Sequence, residues 1–143
     1  GKGRISNALF SQVDFLRSFS TLLGVDVDKG QAVDSQNMLA AINGEDQSGR
    51  GSLIHESFQG PLSYIENGWK YILPHDGPKM VPWGPKIETG FETKPQLYNL
   101  VEDPNEQHNL ADEMPEKTAE LQEKLAIVTK GSFVNVHEVN IVE

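Results

Sequence analysis

The chain has 143 residues, and its 21 acidic and 12 basic side chains give it a formal net charge of −9; it contains no cysteine. The acidic excess argues against nucleic acid as a partner, since phosphate binding requires clustered Lys and Arg, and the lack of cysteine excludes disulfides, thiolate metal sites and thiol nucleophiles. No apolar run approaches the roughly 18 residues that a membrane-spanning helix needs, so we expect no membrane partner either.

The first predicted element is an amphipathic helix over residues 10–23 that stops at Gly24. Its apolar positions recur at three- and four-residue spacing: Leu9, Val13, Leu16, Phe19, Leu22 and Leu23. We expect this face to pack on a partner, and a chain separated from that partner to expose the face and self-associate. Residues 25–36 and 44–51 are predicted as polar loops around one or two helical turns at 37–42.

From Ser52 the apolar period changes to that of strands. Short strands are predicted at 53–57, 62–65 and 69–73, and Asn67-Gly68 between the last two predicts a tight hairpin because both residues tolerate positive φ. Connections this short leave no room for crossover helices, so we expect an antiparallel sheet and no doubly wound parallel one.

The second half of the chain begins with a long loop at 74–95, interrupted by prolines and glycines and carrying one short extended piece at 86–92. A strand at 96–100 and a helix at 114–128 follow, the helix with Leu121, Leu125 and Val128 on one face. The tail at 129–143 is either an added strand or a disordered end. The predicted fold class is α+β: a small antiparallel sheet of about four strands within 52–100, packed against helices, with a C-terminal helix. The length fits one domain.

No catalytic constellation is found along the chain. GxSxG, HExxH, Walker and dinucleotide motifs are absent, and His55, His75, His108 and His137 fall on separate segments without metal-ligand spacing. The acidic loop at 26–34 lacks the residue order of a calcium-binding loop. We therefore expect no catalytic residue, no metal site and no cofactor in this chain.

Three stretches do carry a family pattern, in the same order along the chain. Residues 11–24 are similar to S-x-V-D-L-x-P-T-L-L-x-x-x-G, and residues 49–72 run from a histidine-bearing strand into a hairpin ending G-W-K-Y-I. Residues 97–111 read LYNL-x-x-DP-x-E-x-x-NLA. Together these stretches resemble the C-terminal part of type I sulfatases, the arylsulfatase family of the alkaline phosphatase superfamily.

The resemblance implies that residues 1–143 are the C-terminal subdomain of a sulfuric ester hydrolase. In that family a formylglycine, made from the first residue of a C/S-x-P-x-R motif, attacks sulfur, and calcium holds the sulfate oxygens. Neither element has a counterpart here, so both are expected upstream and the chain alone is expected to be inactive. The implied partners are an N-terminal catalytic domain and, through it, a sulfate ester; the implied location is periplasmic or secreted.

The resemblance also singles out candidate substrate contacts. The histidine-bearing segment approaches the sulfate site in relatives, so His55 is the first candidate, and Arg50, Glu56 and Gln59 are candidates for the same rim. Two other hypotheses stay open. The chain could be a self-standing acidic interaction module, or the corresponding part of a phosphatase or phosphonate hydrolase of the same superfamily.

Overall fold

A computed structural model of the protein describes residue 3 and residues 5–28, 30–57 and 60–130. It divides the chain into two compact units, Gly1–Leu53 and Ile54–Glu143, where the length predicted one domain. Of the predicted tail at 129–143, the part from residue 131 lies outside the described residues.

The helical elements of the first unit are short. A 3₁₀ turn at Gln12–Asp14 leads into helix α1, Phe15–Leu23, and a second helix, α2, spans Leu39–Ile42. Helix α1 ends at Gly24, which has the left-handed φ of 66° and donates its N–H to the carbonyls of Ser20 and Thr21. The helical segment therefore begins two residues later than predicted and stops where predicted.

Helix α1 buries its polar side within the first unit. Ser18 is fully buried, donating its hydroxyl to the Asp14 carbonyl at 2.7 Å and accepting the Met38 N–H at 2.8 Å. The apolar side chains are instead between 45% and 74% exposed: Val13, Leu16, Phe19, Leu22 and Leu23. The expected apolar stripe is present, and its side chains are left accessible.

A four-stranded sheet in the order β1-β2-β3-β4 organises the second unit. Its strands are β1 (Ser52–Glu56), β2 (Leu62–Glu66), β3 (Trp69–Ile72) and β4 (Gln96–Asn99), with β2–β3 and β3–β4 antiparallel. The predicted hairpin is confirmed: Glu66 pairs with Trp69 around Asn67 and Gly68, whose φ values are 50° and 78°. With the C-terminal helix α3 (Pro115–Val128), this confirms the α+β class.

The two faces of the sheet differ in what covers them. On one face, Tyr71 and Leu97 are fully buried in a cluster with Leu121 and Leu125 of α3. Val128, predicted for the same helix face, is the last residue of α3 and is 56% exposed. The opposite face carries the alternate strand positions, which are mostly polar: Ser63, Lys70, Ile72, Gln96 and Tyr98.

The long loop at 74–95 contains one small hairpin and no strand. Met80 and Glu88 form a single antiparallel bridge, flanked by hydrogen bonds from Val81 N to Ile87 O at 2.9 Å and from Thr89 N to Lys79 O at 3.0 Å. The short extended piece predicted at 86–92 contains Glu88, one partner of this bridge, and forms no longer strand. The prolines on both sides of the bridge have no backbone N–H to donate, and the glycines there favour bends. The ladder of strand hydrogen bonds therefore stops after one pair.

The LYNL…NLA motif, residues 97–111, leaves β4 and folds back to hydrogen-bond to the start of the same strand; we call this segment the clasp. The Asn109 side-chain oxygen accepts the N–H groups of Leu97 and Ala111, both at 3.0 Å, and its amide donates to the Pro95 carbonyl at 3.3 Å. Asp103 accepts the His108 N–H at 2.8 Å, and the backbone N–H groups of His108 and Gln107 lower the pKa of its carboxyl. The polar side chains of the motif are therefore used in hydrogen bonds to the backbone, and their role in the motif is structural.

Candidate functional site

The open face of the sheet forms the wall of a cavity of about 900 Å³ within the second unit. The hairpin at 79–89 and residues 105–107 complete its lining. His55 lies on β1 at the end of this wall and is exposed. The side chains that matter below project from all four strands and from the 105–107 segment: His55, Ser63, Lys70, Gln96, Tyr98 and Glu106.

Both lysines of the cavity are held by carboxylates. Lys70 Nζ contacts both carboxylate oxygens of Glu106, at 2.7 and 2.8 Å, and Lys79 Nζ lies 2.5 Å from a carboxylate oxygen of Glu92. The first pair joins β3 to the clasp segment and is half-buried, whereas the second is largely exposed and contributes little to stability. The cavity therefore offers no free cluster of positive charge.

Burial shifts two titrating groups that line the cavity. Partial burial, together with the positive charge of Lys70, lowers the pKa of His55 below 6.5, so its imidazole is neutral at pH 7. Burial raises the pKa of Tyr98, and the carboxylates of Glu106, Glu92 and Asp103 raise it further. The neutral imidazole offers one N–H donor and one acceptor, which suits hydrogen bonding to polar substrate groups.

A hydrogen-bonded chain keeps the deep side of the cavity in place. The Tyr98 hydroxyl donates to the Gln96 side-chain oxygen at 2.8 Å, and the Gln96 amide donates to the Gly90 carbonyl at 2.8 Å. Tyr98 and Gln96 are 8% and 4% exposed. Their positions are therefore set by their own contacts before any ligand arrives.

Arg50 belongs to the first unit, where its guanidinium is already engaged. Nη1 lies 2.5 Å from a carboxylate oxygen of the fully buried Asp14 and 3.2 Å from the Asp34 carbonyl, and Nε donates to the Ser52 carbonyl at 3.3 Å. With a side chain only 11% exposed, Arg50 has a structural use. Its place at a substrate rim stays a prediction.

Of the other candidates, Glu56 lines the same cavity as His55. Gln59 lies outside the described residues. The residues that sequence reasoning missed are Ser63, Lys70, Gln96 and Tyr98. The alternation of side chains along a strand could have identified them. Each is the sequence neighbour of a core residue in its own strand and therefore projects from the opposite face of the sheet.

The described residues do not fit a calcium ion. Among them no group of three or more His, Asp or Glu side chains is arranged to hold a metal. In the same part of the chain, no helix is long and apolar enough to cross a membrane.

Comparisons with known proteins find that the chain is similar to part of a sulfatase. No family model matches the chain. An N-acetylgalactosamine-6-O-sulfatase from Bacteroides thetaiotaomicron is 38% identical to it over 121 residues, which are 85% of this chain and 24% of that protein. A solved structure from work on glycosaminoglycan metabolism in the same organism is 36% identical and superposes with a TM-score of 0.77, covering 87% of this chain and 26% of that one.

A more distant solved structure shares the fold. It is 16% identical, with a TM-score of 0.55 over 91% of this chain and 25% of that one, and holds its substrate D-glucosamine-2-N,6-O-disulfate. The chain thus spans about a quarter of the length of the relatives it matches.

Proposed function

We propose, on the premise that this chain is the C-terminal portion of a sulfatase, that the complete protein hydrolyses sulfate esters. The observation that carries the proposal is the sequence identity shared with a sulfatase across both units of the chain. The matched motifs include residues of both units, and their polar residues have structural uses here: Asp14 and Arg50 in the first, Lys70, Glu106 and Asn109 in the second.

The nucleophile and the metal are proposed to lie in the rest of the protein. Hydrolysis of a sulfate ester requires a nucleophile and concentrated positive charge on the sulfate oxygens, which a formylglycine and calcium would supply. The described residues do not fit the metal, and the lysines of the cavity are neutralised by carboxylates. We therefore assign no chemical step to this chain.

The proposed partner of this chain is the N-terminal catalytic domain of the same protein. About three quarters of the relatives' length lies outside the matched region. The exposed apolar stripe of α1 is a surface that such a domain would bury. A periplasmic or secreted location is part of the proposal and rests on the family resemblance alone.

An activity assay on two forms of the protein tests this proposal. The complete protein, supplied with calcium, is expected to hydrolyse a chromogenic aryl sulfate, and residues 1–143 alone are expected to show none of this activity. Turnover by the isolated chain would contradict the placement of the catalytic residues. Hydrolysis of phosphate or phosphonate esters, with no action on sulfates, would instead favour the other branch of the superfamily.

Replacing His55 with alanine in the complete protein is expected to lower kcat/KM about 3- to 10-fold. A lost hydrogen bond to substrate costs about 0.5–1.5 kcal/mol, and each 1.4 kcal/mol is a factor of ten. Steady-state kinetics on the same aryl sulfate and on sulfated oligosaccharides measure the change. His108→Ala is the matched control, because His108 contacts Glu113 at the exposed end of the clasp. Unchanged kinetics for His55→Ala would leave His55 no substrate role.

A further inference from the structure

The chain contains two Asn-Gly pairs, Asn43-Gly44 and Asn67-Gly68, and the structure places them in different surroundings. We propose that Asn67, at the tip of the β2–β3 hairpin, is a site of spontaneous deamidation in the folded protein. Asparagine is among the thermolabile residues of proteins, and a following glycine leaves the attacking nitrogen without a side chain beside it. The proposal does not depend on the proposed function, because the reaction involves the turn and water alone.

The reaction needs water and no other co-reactant. The backbone nitrogen of Gly68 loses its proton and attacks Cγ of Asn67. An N–Cγ bond forms while the Cγ–Nδ2 bond breaks, and the amide nitrogen takes up the proton and leaves as ammonia. Water then opens the succinimide ring at one of its two carbonyls. One product is aspartate with the original backbone, and the other is isoaspartate, in which the chain runs through Cβ and Cγ.

Asn67 meets the requirements of this reaction in the folded state. It is exposed, and its φ of 50° belongs to the left-handed region that the tight turn requires. Among the described residues, the Gly68 N–H donates no backbone hydrogen bond, whereas the Gly68 carbonyl accepts the Leu100 N–H at 2.7 Å. A base can therefore remove the proton of the attacking nitrogen without first breaking a hydrogen bond.

Asn43 is the comparison within the same chain. Its own N–H donates to the Leu39 carbonyl at 2.9 Å, and Gly44, the residue that would attack, donates its N–H to the Ala41 carbonyl at 3.0 Å. Attack on Asn43 must first break the second of these bonds. A hydrogen bond of ordinary strength makes that step about 3- to 10-fold less frequent, so Asn43 is expected to deamidate more slowly than Asn67 by the same factor.

Isoaspartate at this position would disturb the pairing of β2 with β3. The turn joins Glu66 to Trp69 through two residues, and isoaspartate inserts one extra backbone atom between them. There is little room for the resulting shift, since a Cβ built on Gly68 would lie 2.7 Å from Cγ2 of Val101. We expect the Gly68 carbonyl to move away from the Leu100 N–H, which loosens the clasp where it leaves β4.

Ageing of the complete protein at mildly alkaline pH, followed by peptide mapping with mass spectrometry, measures both rates in one sample. In the folded protein Asn67 is expected to be converted about 3- to 10-fold faster than Asn43. In guanidinium chloride that unfolds the protein, the two rates are expected to converge, because neither N–H is then held. Equal rates in the folded protein, or faster conversion of Asn43, would overturn the proposal. A difference that persists unchanged in the unfolded protein would also overturn it, since the local sequence would then be the cause.

Asn67→Gly is the matched variant for the effect on the hairpin, because glycine adopts the positive φ of the turn and has no amide to lose. Hydrogen exchange at the Leu100 amide is followed during ageing. The wild-type protein is expected to lose protection of this amide as isoaspartate accumulates, and Asn67→Gly is expected to keep it. Equal loss in the variant, or full protection in extensively converted wild-type protein, would contradict the predicted loosening. Neither measurement requires sulfatase activity.

Discussion

Replacing Asp14 with alanine is expected to lower the free energy of unfolding by about 3–5 kcal/mol, the usual cost of removing one partner from a buried ion pair. Asp14 is fully buried, and its carboxylate accepts the N–H groups of Ser11 and Gln36 at 3.0 and 2.9 Å as well as Nη1 of Arg50. Without it, the Arg50 guanidinium would remain nearly buried beside two carbonyls and no anion.

Urea denaturation of the complete protein, followed by circular dichroism, measures this loss. Asp34→Ala is the matched control, since Arg50 contacts only the backbone carbonyl of Asp34 and alanine keeps that group. We expect the control to change stability by less than about 0.5 kcal/mol, as surface substitutions usually do. A loss for Asp14→Ala as small as that of the control would show that the buried pair contributes little.

Replacing Asn109 with alanine is expected to destabilise the second unit by about 2–6 kcal/mol, since two N–H donors lose their acceptor at about 1–3 kcal/mol each. One of these donors is the backbone of Leu97, a fully buried residue of β4, and the other is Ala111, which is 7% exposed. The lost acceptor would loosen the clasp at the end of the strand, and with it the packing of Leu97 in the core.

Hydrogen exchange at the Leu97 amide, together with urea denaturation, tests this prediction. Asn109→Asp keeps an oxygen acceptor and loses only the amide donation to Pro95, so a smaller loss is expected than with alanine. Wild-type protection of the Leu97 amide in Asn109→Ala would contradict the role of the clasp.

Local sequence patterns were sufficient for most elements of the second unit. Asn67-Gly68 predicted the hairpin because positive φ at two successive positions is a property of those residues themselves. The same holds for the apolar positions of α3, where Leu121 and Leu125 recur at helical spacing and are fully buried. The sequence did not show that Val128 would be 56% exposed or that residues 86–92 would pair through a single bridge, since such contacts depend on the surrounding tertiary structure.

The candidate site was predicted only in part. His55 and Glu56 share the cavity, whereas Ser63 and Gln96 were not recognised because a polar residue on a strand is more often solvated than part of a site. Arg50 was a candidate because the resemblance places it beside the histidine-bearing strand. The structure shows its guanidinium bound to Asp14, a contact that the sequence did not indicate.

The sequence by itself determined the α+β class, the hairpin, the closing helix and the sulfatase resemblance, because each depends on residues close together in the chain. Tertiary structure alone decided that α1 buries serines and leaves its apolar stripe exposed. It also decided that Asp14 meets Arg50 and that Lys70 meets Glu106, both 36 residues apart. No local spacing relates such positions, since their contacts exist only after the chain has folded back on itself.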